Sequence, residues 1–178
     1  NKRSTLIYFK KKNIIENGLR ISVDLSDDKK ICVYVAKKTS LNINFGKINF
    51  YEIKNFWKPL KSANNSLIIE KNKFYILKSR EKIRIPSNLA GEMIPYDTGI
   101  GDFRAHYAGF FDPGFGDPEG SYAVLEVKTN ELSFILEDRQ TIARIKYEKL
   151  NKKTSVVYGS SINSNYQNQK LALSKHFK

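Results

Sequence analysis

Few side chains in this sequence have both the character and the setting for chemistry, and the most distinctive is a carboxylate. In Ser121-Tyr122-Ala123-Val124-Leu125-Glu126-Val127-Lys128, a strand puts Glu126 on the same face as Tyr122 and Val124, because strand side chains alternate. If that face points inward, lost solvation raises the carboxyl pKa toward neutrality, where a general base or proton shuttle works. If it points outward, Glu126 pairs with a surface lysine, the usual fate of an acid. The alternation leaves both readings open. Asp112 precedes Pro113 and Gly114, a spacing that suits turn initiation through an Asx-type hydrogen bond. Arg104 and His106 lie two apart, so on a strand they share a face and either flank an anion site or stand in solvent.

Several chemistries lack their residues. A zinc deaminase or hydrolase needs three or four His, Cys or carboxylate ligands, with H-x-E and P-C-x-x-C patterns in the nucleoside deaminases. This chain has only His106, His176 and Cys32 of the first two types, without paired spacing. It contains no G-x-x-x-x-G-K-[ST] phosphate loop, no G-x-G-x-x-G opening a helix and no G-x-S-x-G nucleophile elbow.

The elements that must position these residues are strands. Leu19 to Leu25 alternates strictly, Ile31 to Val35 is a β-rich run, and Phe74-Tyr75-Ile76-Leu77 follows a polar turn. Lys82 to Ile85 ends on Pro86, and Tyr122 to Val127, Glu131 to Leu136 and Ile142 to Tyr147 complete the series. Short strands with polar turns suit an all-β sandwich or distorted barrel. Helical signals are few: a short turn over Asn88 to Met93 and another over Ile53 to Leu60 around Trp57. Phe110 to Gly120 concentrates glycine, proline and aromatic residues in one irregular segment of the kind that shapes a pocket or a tight corner. From Tyr158 to Lys178 the chain is rich in Ser, Asn and Gln, which reads as a frayed terminus or as a segment that orders over a ligand.

At 178 residues, with 40% hydrophobic and 12% aromatic content, the chain suits one globular core. No apolar run approaches the roughly 18 residues of a membrane span, and no signal-peptide pattern opens the sequence. The lone Cys32 excludes an internal disulfide framework and fits a reducing compartment, so a cytoplasmic domain without membrane contact is expected. The 31 basic and 18 acidic residues give a net charge of +13. Such a field attracts polyanions, but it also matches a Lys-, Asn- and Ile-rich composition written by an AT-rich genome. Lys10 to Lys12, Lys29-Lys30 and Lys37-Lys38 are scattered, without the aromatic platform of a single-strand binder. Charge alone identifies no partner.

In combination these segments resemble the dCTP deaminase branch of the dUTPase superfamily. Phe111-Asp112-Pro113-Gly114-Phe115 is similar to that family's I-D-P-G-[WF] motif, and Ala123-Val124-Leu125-Glu126 to its [IV]-V-L-E strand. Tyr158 followed by Asn165-Tyr166-Gln167-Asn168-Gln169 resembles its C-terminal Y…KYQ-x-Q tail. The resemblance covers roughly residues 67 to 170. Arg104 to Gly116 looks most like the C-terminal half of the long, tandem-domain deaminases of alphaproteobacteria.

The resemblance implies a mainly β, dUTPase-like distorted barrel (β-clip) with few short helices: a β domain over residues 1–157 and a C-terminal lid over 158–178. It implies metal-free hydrolytic deamination of dCTP to dUTP and ammonia. Glu126 would be the general base and Asp112 would hold the deoxyribose 3'-hydroxyl. Backbone at Val124 and Leu125, with Tyr158, Asn165, Gln169 and Lys170 of the tail, would contact base and triphosphate, and Arg104 and His106 would offset phosphate charge. Magnesium would arrive on the triphosphate, with no zinc. There are departures from the pattern. Pro95 to Gly101 stands where short family members carry S-S-x-x-R, and Asn165 replaces the tail lysine. In the tandem forms the serine/arginine segment belongs to an N-terminal half that meets this one at an interface. The expected partners are therefore dCTP and dUTP, a homo-oligomer (trimer) or a homologous N-terminal domain, and no nucleic acid. Three alternatives remain: a dUTPase or bifunctional deaminase–diphosphatase using Asp112, a half that is inactive without its partner, and a nucleic-acid-binding barrel drawn from the charge.

Overall fold

The computed structural model describes residues 18–27, 29–95, 104–106, 109–130, 132–152, 154–160, 164 and 166–178, with the side chains of 104–106 outside the description. In chain order the elements are β1 (Leu19–Ser22), β2 (Val33–Ala36), the single-turn α1 (Ile53–Phe56), β3 (Trp57–Leu60), β4 (Ser66–Ile69), β5 (Phe74–Ile83), β6 (Leu89–Pro95), β7 (Arg104–His106), β8 (Phe110–Phe111), β9 (Ser121–Lys128), β10 (Phe134–Glu137) and β11 (Thr141–Lys149). They form a five-stranded sheet β3-β2-β5-β9-β7, a four-stranded sheet β1-β11-β6-β8 and a two-stranded ribbon β10-β4. Every pairing is antiparallel, as expected of a chain whose strands show one buried and one wetter face.

β9 lies between β5 and β7. Its Ser121, Ala123, Leu125 and Val127 are buried, while Tyr122, Val124, Glu126 and Lys128 alternate with them and are partly exposed. Ala123, Leu125 and Val127 join Leu77 of β5, Ile21 of β1 and Ile145 of β11 in one core. β5 is longer than the sequence suggests: the run expected to restart at Lys82 continues it through a register shift between Lys78 and Lys82. Inside that irregularity the Ser79 hydroxyl accepts the Ala123 N–H at 2.8 Å and donates to the Glu81 carbonyl at 2.7 Å. A buried side chain thus replaces the missing ladder bond.

The helical turn expected over Asn88 to Met93 is strand β6, fully paired with β11 from Leu89↔Lys149 to Pro95↔Ala143. Leu, Ala, Glu and Met favour helix locally, but an open sheet edge offers every backbone group a partner, and tertiary context prevails. Gly91 fits this strand because a Cβ there would stand 2.8 Å from Ile85 Cδ1 and 3.4 Å from Phe111. The expectation over Ile53 to Leu60 holds for one turn. Trp57 then leaves the helix at φ −129°, ψ 143° and begins β3.

The terminal segment is docked, not frayed. Asn49, Phe50 and Tyr51 donate backbone N–H groups to Lys175 and His176 carbonyls at 2.9–3.0 Å, and Lys178 returns one to Tyr51 at 2.9 Å. Phe177 packs against Tyr51, Phe56 and Trp57.

Candidate active site

The wetter face of β9 opens onto a cavity of about 840 Å³. Its walls come from three places. The five-stranded sheet contributes Trp57, Phe74, Ile76, Val124 and Glu126; the glycine-rich segment contributes Asp112 and Phe115; the tail contributes Tyr158, Gln169 and Leu173. Glu126 therefore faces the cavity, and its cross-strand neighbour on β5 is Ile76. An aliphatic neighbour cannot replace the water that a carboxylate loses on burial, so burial pushes the Glu126 pKa up from 4.5. Among the described residues no ion pair or hydrogen bond opposes that shift. The surface-lysine alternative is thereby set aside.

The glycine-rich segment is held by backbone bonds that leave the Asp112 side chain unused. The Phe115 N–H donates to the Asp112 carbonyl at 3.0 Å, so the main chain closes the turn, and no Asx-type side-chain bond is seen among the described residues. The Asp112 side chain is exposed toward the cavity. Ile85 makes the next contacts: its carbonyl accepts the Gly114 N–H and its N–H donates to the Phe115 carbonyl, both at 2.9 Å. Gly116, at φ +72°, lies so close to β5 that a Cβ would sit 2.1 Å from the Ile83 carbonyl oxygen. Only glycine fits there.

The tail closes over this segment through side-chain amides. Gln167 Oε1 accepts the Gly116 N–H at 3.0 Å, while its Nε2 donates to the Gly114 and Asp117 carbonyls at 3.3 and 3.0 Å. Gln169 donates its N–H to Ser121 Oγ at 3.1 Å and its Nε2–H to the Tyr122 carbonyl at 3.0 Å. Tyr158 donates its N–H to the Pro113 carbonyl at 2.8 Å and rests its ring 5.7 Å from that of Phe115. Glu126, Asp112, Val124, Tyr158 and Gln169, separated by up to 57 positions in sequence (169 − 112), thus line one cavity.

The other candidates lie elsewhere. Leu125 is 0% exposed and points into the core, so only its backbone is available to a ligand. Lys170 is exposed and outside the cavity lining. Asn165 falls outside the described residues. Backbone register pairs His106 with Glu126 and Arg104 with Lys128, which puts both on the strand beside the acid. Sequence reasoning passed over Trp57, Phe74 and Gln167 as site residues. Gln167 could have been found from the repeated amides of the tail, whereas Trp57 and Phe74 read as ordinary core aromatics. Among the described residues no group of three or more His, Cys, Asp or Glu side chains is gathered to hold a metal ion, and no helix is long and apolar enough to cross a membrane.

A strand-built barrel with almost no helix, carrying a cavity that a strand, a glycine-rich segment and the chain's own tail share, is a dUTPase-like β fold. The chain belongs to the family described as 2'-deoxycytidine 5'-triphosphate deaminase (DCD), C-terminal domain, whose family model matches residues 1–177. Among solved structures it is similar to the crystal structure of 2'-deoxycytidine 5'-triphosphate deaminase from Agrobacterium tumefaciens, at 38% identity and a TM-score of 0.76. That match covers 83% of this chain and 44% of the Agrobacterium chain, so this chain spans less than half the length of its relative. No curated protein matches the sequence.

Proposed function

We propose that this chain carries the reacting carboxylate of a dCTP deaminase, which converts dCTP and water to dUTP and ammonia. The observation that carries the reading is Glu126: a half-buried acid facing the cavity, its pKa raised by burial alone. Such a group is a stronger base than an ordinary carboxylate. Glu126 takes a proton from water as the water oxygen bonds to C4 of cytosine, and delivers it to N3. The hydroxyl proton then passes through the same carboxylate to the amino group, the C4–N bond breaks, and ammonia leaves as C4=O forms. The side chain of Asp112, exposed toward the cavity and not used by its own turn, suits the deoxyribose 3'-hydroxyl. Val124 and Leu125 backbone, Tyr158 and Gln169 suit the base and phosphates, with Asn165, Lys170, Arg104 and His106 as further phosphate contacts.

Magnesium would be held by the oxygens of the triphosphate. The buried thiol of Cys32 suits the reducing cytoplasm. A second reading rests on length: with 44% of the relative's chain covered, the site would be completed by a homologous domain or by further copies in an oligomer.

The test is incubation of the purified chain with dCTP and magnesium while dCTP, dUTP, dUMP, ammonia and pyrophosphate are resolved. dUTP with ammonia supports the deaminase. Pyrophosphate with dUMP adds a diphosphatase activity that would draw on Asp112. Binding without turnover supports the half-site reading, and absence of binding and turnover overturns both.

A further inference from the structure

We infer that Phe110 is the side chain on which the pyrimidine ring of the nucleotide stacks, a substrate-contacting residue that comes from outside the Glu126 strand. β8 sets its ring in place. The two residues of that strand alternate: Phe110 is 79% exposed, whereas Phe111 is 6% exposed and packs its ring 4.9 Å from that of Phe115. The backbone beneath them is held by pairing with β6 at Gly91↔Phe111 and Glu92↔Phe110, and by the Met93 N–H donating to the Gly109 carbonyl at 2.8 Å. An inward Phe111 on a held strand turns Phe110 outward, and its side chain lines the cavity that Glu126 faces.

A single exposed phenylalanine is ordinary on a protein surface. Here Val156, 50% exposed, and Tyr166, 37% exposed, line the same cavity from two other segments. Large apolar side chains left in contact with water thus gather at one opening, and such a patch marks a place where another molecule is received. What it receives is set by the polar groups beside it. Asp112 follows Phe110 by two positions and is likewise exposed toward the cavity. A nucleotide that sets its 3'-hydroxyl on Asp112 and C4 of cytosine before Glu126 turns the flat faces of the pyrimidine to the remaining wall. Among the described residues of that wall, the most exposed ring is Phe110. Stacking removes ring and base from water together. The assignment rests on the nucleotide reading of the cavity and adds the residue that grips the base.

The full chain is titrated with dCTP and magnesium and followed by calorimetry and by NMR of cytosine H5 and H6, resolved from the signals of any dUTP formed. Both resonances are expected to move upfield as the base enters the ring current of Phe110. Phe110→Leu keeps an apolar side chain and removes the aromatic face. A substitution at so exposed a position leaves the fold standing, which circular dichroism checks. The variant is expected to bind dCTP about 5- to 50-fold more weakly and to lose most of the upfield displacement, whereas Phe110→Tyr, which keeps the face, is expected to retain both. An unchanged Kd or an unchanged displacement in the folded Leu variant overturns the assignment and leaves the deaminase reading intact. Loss of a contact between chains, read by sedimentation, without loss of dCTP affinity does the same. A native chain that binds no dCTP overturns both.

Discussion

A carboxylate on a β-strand does proton chemistry only when its surroundings withhold water without supplying a cation. Glu126 meets that condition through its neighbours: Ile76 stands across from it on β5, Val124 precedes it on the same face, and the shift in its pKa comes from burial. On the proposed role of Glu126, Glu126→Gln keeps the shape and removes the base, so deamination is expected to fall by about 10²–10⁴-fold while calorimetric dCTP affinity is retained. A variant that turned over at the native rate would assign the base elsewhere. The direction of the shift also fixes the pH profile. With Glu126 as the proposed base, whose active form is the ionised one, kcat/KM for dCTP is expected to rise with pH through a value above the ordinary 4.5 of a glutamate.

At the scale of elements, the irregular middle of β5 carries a second buried acid with a different purpose. Glu81 is 8% exposed. Its two oxygens accept the Ser22 N–H at 2.8 Å and the Ser22 hydroxyl at 2.6 Å, tying β5 to β1. Burial outweighs those bonds and raises its pKa. The folded state therefore holds the Glu81 proton more tightly than the unfolded state, and stability falls as pH climbs from the ordinary carboxyl value of 4.5 through the raised one. In Glu81→Gln the amide oxygen can accept the Ser22 N–H while the amide nitrogen donates to Ser22 Oγ. Thermal melts are expected to show the variant more stable than the native chain at about pH 8 and to lose that advantage at about pH 4.

The tail offers a parallel case in which one amide spans a gap between elements. Gln167→Ala removes its bonds to Gly114, Gly116 and Asp117, at a cost of about 1–3 kcal/mol. Faster hydrogen exchange at the Gly116 N–H is the local sign to look for. These elements differ in how legible they were. The alternation of Tyr122 to Val127 stated the strand and put Glu126 on one face with Tyr122 and Val124, but not whether that face met solvent or a cavity. Resemblance placed Tyr158 and Gln169 before any contact was visible. The paired strand over Leu89 to Pro95 could not be read, because its residues favour helix and its partner β11 lies far along the chain, 56 positions at Gly91↔Tyr147 (147 − 91). Nor could the docking of the Ser/Asn/Gln-rich tail, whose anchors are amide-to-backbone bonds that leave no hydrophobic period in the sequence.

Across the whole molecule, the cavity is closed by joining two stretches that no local rule connects. The segment before β3 and the last residues of the chain meet through backbone bonds between Asn49–Ile53 and Lys175–Lys178, and Phe177 seals the joint with ring contacts to Tyr51, Phe56 and Trp57 at centroid distances of 6.5, 5.4 and 6.0 Å. The stretch bridging Gln169 to this joint supplies Ala172, Leu173 and Ser174 to the cavity wall, so it is held at both ends, by amides at one and by aromatic packing at the other. Phe177→Ala leaves the Gln167 and Gln169 contacts in place and releases only the second anchor. Loss of a partly buried phenyl ring and its edge contacts is expected to cost about 2 kcal/mol, read as a lowered melting temperature. Because Leu173 then has no fixed position over the cavity, dCTP affinity is expected to fall as well, with faster exchange at the Tyr51 and Lys178 amides. A variant that melts earlier but binds dCTP with native affinity would show that the second anchor serves the fold alone, and that the amide anchor is enough to form the site.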